Sequence, residues 1–466
     1  MSEQEPNELS QYSWVKPLVA GVGPRYLQIA DLIGDAIRNG ELSPGDQVPP
    51  QRLLATVLGV DLTTVTRAYS EARNRGLISS FSGRGSFVTS TEETTRAERI
   101  DLSMNIPPQP SERNIGDLAL AAMAEVLKRQ DDHRLSTYDT GDSNLSAIQA
   151  GQAWLRPAIG DLANGNLVMS PGTQAAIYAA LQSASQKGDT VLCEPLTYPG
   201  FLLAARKLGL NVRAIDIDEF GATPDSIEEI HRATNARVIY LNPTLQNPTT
   251  RTMPQERRKE IANTLLKLEM TLIEDDPYWF LINDAPPPLM TFMRGVRTFY
   301  MASLSKCLWP SLRTSFVVTP DNEDNDVFLE NLRSSGMGGS PLLYGLAEQW
   351  IRTGVARQIV SQVQREARAR QSLARSILPK GACSHPCGLH TWLTLPPHRN
   401  RQVLADALEQ RGIIVATADA FSAEPNPENG VRLSMGGATS QLELAHALKQ
   451  VTSLLMEDKR RARTIV

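Results

Sequence analysis

The sequence predicts a multidomain chain. A small N-terminal winged helix-turn-helix (α with a β-wing) precedes a larger α/β domain with a mainly parallel central sheet. Three observations predict this. Residues 24–89 place three short helical patterns ahead of two short strands around a glycine pair. Beyond residue 100, helical patterns alternate with short apolar runs, the mark of an α/β layer architecture. At 466 residues the chain has room for two or three domains of roughly 150 residues each.

In the small module, Ile29, Ile33, Ala36 and Ile37 fall on one helical face, and the pattern stops at Asn39-Gly40. Leu42 to Asp46 reads as a turn. A second helix runs from Gln51 to Leu58 and ends at Gly59. Asp61 is a good N-cap for a third helix reaching Arg75, with Gly76 as terminator. The two strands flank Gly83-Arg84-Gly85, whose glycines allow a tight hairpin. Residues 1–23 read as a loose leader and residues 90–100 as a linker. In the larger domain Thr190–Cys193, Val238–Leu241 and Thr271–Ile273 read as strands, and Asp458 to Arg463 as a charged tail.

Composition excludes several classes. The formal charge is 47 − 51 = −4, so the surface as a whole is no cation for nucleic acid, although a local DNA-binding face is allowed. Apolar content of 41% and charged content of 21% describe a folded globular chain. No apolar run reaches the roughly 18 residues of a membrane helix, so no membrane partner is expected. The polar, acidic start is no signal peptide, and four cysteines in so long a chain suggest a reducing compartment, the cytoplasm. Residues 24–89 hold seven Arg against six acids, a net of +1. Within 62–88, Arg67, Arg73, Arg75 and Arg84 face Glu71 alone. That charge lies where a third helix and a wing would meet phosphates, or else marks a solvated helix face.

Four segments of the larger domain carry chemistry. Ser170-Pro171-Gly172-Thr173-Gln174 precedes the helical run AAIYAALQSA, so backbone N–H groups and a helix dipole face an anion, or simply cap a helix. Asn242-Pro243 to Asn247-Pro248-Thr249 follows the run ending at Leu241. Glu274-Asp275-Asp276-Pro277-Tyr278 follows the strand ending at Ile273, where α/β folds place ligands; a solvated acidic turn is the alternative. Ser303-Leu304-Ser305-Lys306, with Arg313 seven residues on, offers an amine for a Schiff base and a cation for a phosphorylated aldehyde.

Residues 24–89 resemble the winged-helix domain of GntR-family regulators in four blocks: PRYLQIADLI, GELSPGDQVPPQR, GVDLTTVTRAY and GLISSFSGRGSFV. The resemblance implies binding of double-stranded operator DNA through Arg52, Thr63, Thr64, Arg67 and the wing residue Arg84. Capping of the third helix is the competing role for Thr63 and Thr64. Leu62 departs from the family, many members of which carry Arg there.

Residues 101–466 resemble the fold-type I enzymes of the aspartate aminotransferase superfamily, which implies a smaller C-terminal α+β subdomain over about 345–466. It also implies pyridoxal 5′-phosphate as cofactor. On this resemblance Lys306 forms the Schiff base, Asp275 pairs with the pyridine nitrogen, Asn247 and Tyr278 bond the ring's 3′-oxygen, and Tyr198 stacks on the ring. Gly172, Thr173, Gln174, Ser303 and Arg313 hold the phosphate. Arg432, in Val431–Gly436, binds a substrate or effector carboxylate, with a strand-end salt bridge as its alternative. A site at a homodimer interface is implied as well, with Tyr138 reaching the phosphate of the other subunit. Cys383, His385, Cys387 and His390 superficially suggest zinc, but their spacing fits no zinc pattern and no metal is expected. Cys307, beside the lysine, reads as packing.

A GntR-type reader ahead of an aminotransferase-like domain is the architecture of MocR regulators. The resemblance implies a transcription regulator that senses an amine or amino acid, or pyridoxal phosphate itself. An aminotransferase with a secondary winged helix is the alternative.

Overall fold

Two units build the chain, Met1–Arg99 and Ile100–Val466. The computed structural model describes residues 12, 14–18, 24–43, 45–81, 85–88, 99–109, 115–129, 137–336 and 338–461.

In the first unit, α1 (Arg25–Arg38) buries Ile29, Ala30, Ile33 and Ala36, a stripe at helical spacing. Helix α2 (Gln51–Leu58) stops where Gly59 adopts a left-handed φ of 60°. Helix α3 (Leu62–Asn74) starts at Asp61, whose carboxylate accepts the Thr63 backbone N–H at 2.7 Å. Strands β1 (Ile78–Phe81) and β2 (Gly85–Val88) pair antiparallel with Ile78 opposite Val88. The buried Tyr69 of α3 donates its hydroxyl to the Pro49 carbonyl at 2.5 Å, tying that helix to the turn before α2. Trp14 is only 3% exposed and shares the core of Ile33, Val65 and Tyr69. Part of the segment expected to be a loose leader is therefore structural. A lone aromatic without periodicity carried no sign of this.

The second unit opens with β3 (Ile100–Asp101). Its strands continue as β4 (Leu167–Ser170), β5 (Thr190–Cys193) and β6 (Asn211–Ala214), then a small hairpin of β7 (Ile217–Asp218) and β8 (Gly221–Ala222). After it come β9 (Val238–Leu241), β10 (Thr271–Asp275), β11 (Thr298–Ser303) and β12 (Ser315–Val318). Among the described residues the central sheet has seven strands in the order β4-β12-β11-β10-β9-β5-β6. Strand β12 runs antiparallel to both neighbours, and the remaining pairs are parallel. Every residue of β9 and β10 is buried, which is why Val238–Leu241 reads as a continuous apolar run and Leu272-Ile273 forms the apolar middle of β10. Strand β10 extends two residues past the predicted end, so Glu274 and Asp275 occupy its carboxyl terminus.

The C-terminal part carries β13 (Ala382–Ser384), β14 (His390–Thr394), β15 (Ile413–Ile414), β16 (Ala416–Thr417) and β17 (Gly430–Ser434). Four of them form an antiparallel sheet in the order β13-β14-β17-β16. The fifth, β15, pairs with β3 in parallel, placing Ile100 and Leu102 in one cluster with Leu404, Ile413 and Leu433. The start of the second unit thus folds with its end. The helix Val355–Ile377 joins the two regions, packing Ile359 and Val363 in the larger core and Ala374 in the smaller. Among the described residues no helix is long and apolar enough to cross a membrane.

Candidate cofactor and effector site

A cavity of about 610 Å³ opens at the carboxyl ends of the parallel strands. Its lining includes Thr173, Gln174, Tyr198, Asn247, Asp275, Tyr278, Ser303, Lys306, Arg313 and Arg432. All ten were candidates from the sequence, and Gly172 stands beside them at the start of the helix Thr173–Ala184.

Asp275, last in β10, is buried. Its Oδ2 accepts the Tyr240 hydroxyl at 2.7 Å, and its backbone carbonyl accepts the Asn242 side-chain N–H at 2.6 Å. Its Oδ1 is buried without a hydrogen-bond partner among the described residues. Burial raises the carboxyl to about 7, against the Tyr240 hydrogen bond and the Lys306 charge. An orphaned carboxylate oxygen fits a protonated ring nitrogen.

Lys306 follows β11, and its Nζ donates to the Asn105 backbone carbonyl. Burial first, then the Arg432 charge, lowers its amine to about 8, while Asp275 acts in the other direction. A larger share of neutral, nucleophilic amine results. The Asn105 side chain donates to Tyr278 Oη at 2.9 Å, leaving the phenolic proton free for an oxygen in the cavity. Asn105 also meets His390 Nδ1 at 3.0 Å. Burial and the Arg432 charge hold His390 at about 3, so the ring is neutral and its Nε2–H faces the Gln246 carbonyl at 3.4 Å.

At the phosphate end, Gly172 has a φ of 96°, and a Cβ there would lie 2.9 Å from Arg313 Nη2. Arg313 itself adopts a left-handed φ of 45° and donates to the Pro171 carbonyl at 3.3 Å. The first N–H groups of the helix Thr173–Ala184 have no intrahelical acceptor and can receive an anion. The Gln174 side chain donates one N–H to the Gly200 carbonyl at 2.9 Å, which leaves its second amide N–H and its backbone N–H available. Ser303 Oγ accepts the Ser305 backbone N–H at 3.2 Å. Ser305, absent from the sequence-based set, also lines the cavity.

Arg432 of β17 is 5% exposed. It donates to Asn247 Oδ1 at 2.7 Å and to the Ser103 carbonyl, and it lies 4.7 Å over the Phe421 ring. Its Nε has no partner, and no carboxylate pairs with it among the described residues. Burial lowers its guanidinium to about 10. A buried cation without a counter-ion is a receptor for one.

Other expected residues lie elsewhere. Tyr138 is 78% exposed and does not line the cavity of its own chain. Cys383, His385, Cys387 and His390 are not gathered: Cys387 Sγ accepts from Arg368 Nε at 3.3 Å, while His390 faces Asn105. Among the described residues no set of three or more His, Cys, Asp or Glu could hold a metal ion. Cys307 is buried in the larger core.

On the first unit, Arg52, Thr63 and Arg67 are exposed and Thr64 is half-buried. Both the N–H and the hydroxyl of Thr63 bond Asp61 at 2.7 Å, so capping is one of its roles. The Arg67 guanidinium sits 4.1 Å over the Tyr26 ring. Arg75 is held by Asp31 at 2.6 Å and Glu71 at 2.8 Å, so part of the positive charge counted on the third helix is neutralised. Arg84 lies outside the described residues.

Sequence reasoning missed the roles of Asn105, Tyr240 and His390. The tyrosine stood in an apolar run as an ordinary strand residue. The histidine stood out within the apparent zinc cluster and in a run that reads as a strand, neither of which gave it a role at the site, and nothing local marked the asparagine.

Residues 97–451 match the family described as aminotransferase class I and II. The chain belongs to that family. Residues 25–88 match the bacterial regulatory proteins of the gntR family, so a GntR-type domain precedes an aminotransferase-like one, the MocR-type architecture. The uncharacterized HTH-type transcriptional regulator YdeF of Bacillus subtilis (strain 168) is 27% identical over 458 residues, spanning 95% of this chain and 97% of that protein. Among solved structures, Pyrococcus horikoshii kynurenine aminotransferase, in complex with PMP, has a TM-score of 0.71 at 19% identity, covering 80% of this chain and 95% of that one. The α-aminoadipate aminotransferase LysN of Thermus thermophilus, complexed with N-(5′-phosphopyridoxyl)-L-leucine, has a TM-score of 0.69 at 22% identity, covering 84% and 98%. The cofactor of this aminotransferase-like domain is pyridoxal 5′-phosphate, and the orphaned Asp275 oxygen, the glycine-lined helix start and the half-buried lysine fit it.

Proposed function

We propose that this chain is a DNA-binding transcription regulator whose aminotransferase-like domain senses an amine or amino acid, acting as a homodimer in the cytoplasm. When bound, pyridoxal phosphate supplies an aldehyde that condenses with amines and a ring that withdraws electrons. Lys306 carries it, Asp275 keeps a proton on the ring nitrogen, and Asn247 and Tyr278 bond the 3′-oxygen. Tyr198 lies against the ring. Gly172, Thr173, Gln174, Ser303 and Arg313 receive the phosphate, with Tyr138 contributing to the other subunit's site. Arg432 receives the effector's carboxylate. Arg52, Thr63, Thr64, Arg67 and Arg84 meet operator DNA.

One observation carries the sensing reading. The two side chains an amino acid would engage both hold backbone carbonyls of the segment following the linker: Lys306 bonds Asn105, and Arg432 bonds Ser103. That segment begins with β3 at Ile100, three residues before Ser103 and five before Asn105, directly after residues 90–99 of the first unit. With the cofactor on Lys306, an incoming amine would free its Nζ for the Asn105 carbonyl. A carboxylate that recruits Arg432 would compete with its bond to Ser103, so both tethers would change at once. The linker then passes a population shift to the winged helices, repositioning them on DNA half-sites.

Lys306→Ala tests this. Transcription should lose its response to the effector while the protein still binds its own upstream DNA. An intact response sinks the sensor reading, and a response to free cofactor with none to any amine makes pyridoxal phosphate the signal. A second reading, turnover as an aminotransferase, is favoured by Lys306, Asp275 and Arg432 lining one cavity. Amino-group transfer to the cofactor, reversed by a keto acid, identifies it.

A further inference from the structure

The surroundings of Arg432 narrow the ligand. Among the residues lining the cavity, the charged ones are Asp275, Lys306, Arg313 and Arg432. On the reading above, Asp275 serves the ring nitrogen, Lys306 the amine exchange, Arg313 the phosphate and Arg432 the carboxylate. Within one subunit's described lining none is left to pair with a second charge on the ligand. Most of the wall beside Arg432 is apolar, formed by Met104, Ile414, Val415, Ala416, Ala420 and Phe421, and the Thr417 side chain there is polar but uncharged. Their placement follows from the strands. Ala416 of β16 is the cross-strand partner of Arg432, Ile414 of β15 is the partner of Asp101, and Met104 adjoins the Ser103 carbonyl that Arg432 holds. The Phe421 ring packs directly under the guanidinium.

We infer that the effector is an α-amino acid with an uncharged, apolar side chain, of the leucine, methionine or phenylalanine kind; this rests on the sensing reading above. Its amino group meets the cofactor at Lys306 and its carboxylate takes the unpaired Arg432 donors. Its side chain then lies against the apolar wall. A terminal carboxylate or ammonium placed there would leave water and gain no partner. Apolar surface, by contrast, leaves water favourably. Met104, an unbranched thioether that is 61% exposed, can move to fit side chains of different shape.

The test uses the full-length, cofactor-loaded protein, titrated calorimetrically with L-leucine, L-methionine, L-phenylalanine, L-glutamate and L-lysine. The same amino acids are then added to the protein on its own upstream DNA. The apolar three should bind at least about tenfold more tightly than glutamate or lysine, and they alone should change DNA affinity. In Ile414→Arg, checked for an unchanged visible cofactor band, leucine should weaken and glutamate should gain. Glutamate or lysine binding as tightly as leucine overturns the side-chain class and leaves sensing intact. If none of the five binds while the cofactor loads normally, the side-chain class falls, and the Lys306→Ala response separately decides the sensing reading.

Discussion

Tyr240→Phe isolates the group that keeps a charge on Asp275. The Tyr240 ring is held independently of its hydroxyl, stacked on Phe201 with centroids 4.2 Å apart and planes 7° from parallel. Phenylalanine therefore keeps the packing and removes one hydrogen bond, 2.7 Å long, from Asp275 Oδ2. The other oxygen has no partner to compensate. Burial already favours the protonated carboxyl, and the Tyr240 hydroxyl is the first influence opposing it. A hydrogen bond to a charged group contributes about 1.5–3 kcal/mol, so affinity for pyridoxal phosphate should fall by roughly 10- to 150-fold. The assay titrates apoprotein with the cofactor and follows tryptophan fluorescence, with the apoprotein's melting temperature as a control on folding. Affinity within twofold of the parent would refute the argument that Tyr240 sustains the Asp275 charge. A parallel collapse of the melting temperature would assign the effect to packing instead.

Three further outcomes follow from particular contacts. Gly172→Ala forces a side chain onto a φ of 96° with its Cβ 2.9 Å from Arg313 Nη2; it should weaken pyridoxal phosphate about tenfold while leaving pyridoxal, which lacks the phosphate, unchanged. Equal losses for both would remove Gly172 from the phosphate site. Glu194 is raised by burial from its ordinary 4.5 to about 7, so the folded state keeps a proton that the unfolded chain releases. Its stability contribution is greatest below pH 4.5 and declines as pH rises to 7, at a cost of about 3 kcal/mol. Glu194→Gln should therefore raise the melting temperature at pH 8 but not near pH 4.5, and a pH-independent effect would contradict this. Arg67→Ala, removing an exposed cation, should weaken DNA binding for all sequences and reduce the slope of log affinity against log salt by about one. Arg75→Ala, whose guanidinium Asp31 and Glu71 already hold, should leave that slope unchanged; electrophoretic mobility shifts over a salt series distinguish the two.

The sequence by itself determined what acts over a few residues. Strands β5 and β9 fall on the residues whose apolar runs predicted them, and Asp61 caps α3 as its side chain allows. The motif residues at strand ends and helix starts were legible because a parallel sheet brings its carboxyl ends together. Only the tertiary structure decided what each of them touches. Asn105 and Ser103 lie 201 and 329 residues from the Lys306 and Arg432 that bond their carbonyls. Nor did any local pattern place Trp14 in the winged-helix core or pair β3 with β15. Periodicity, caps and turns are short-range constraints on the backbone. Partners across hundreds of residues follow from strand order, which depends on burying all the apolar faces together.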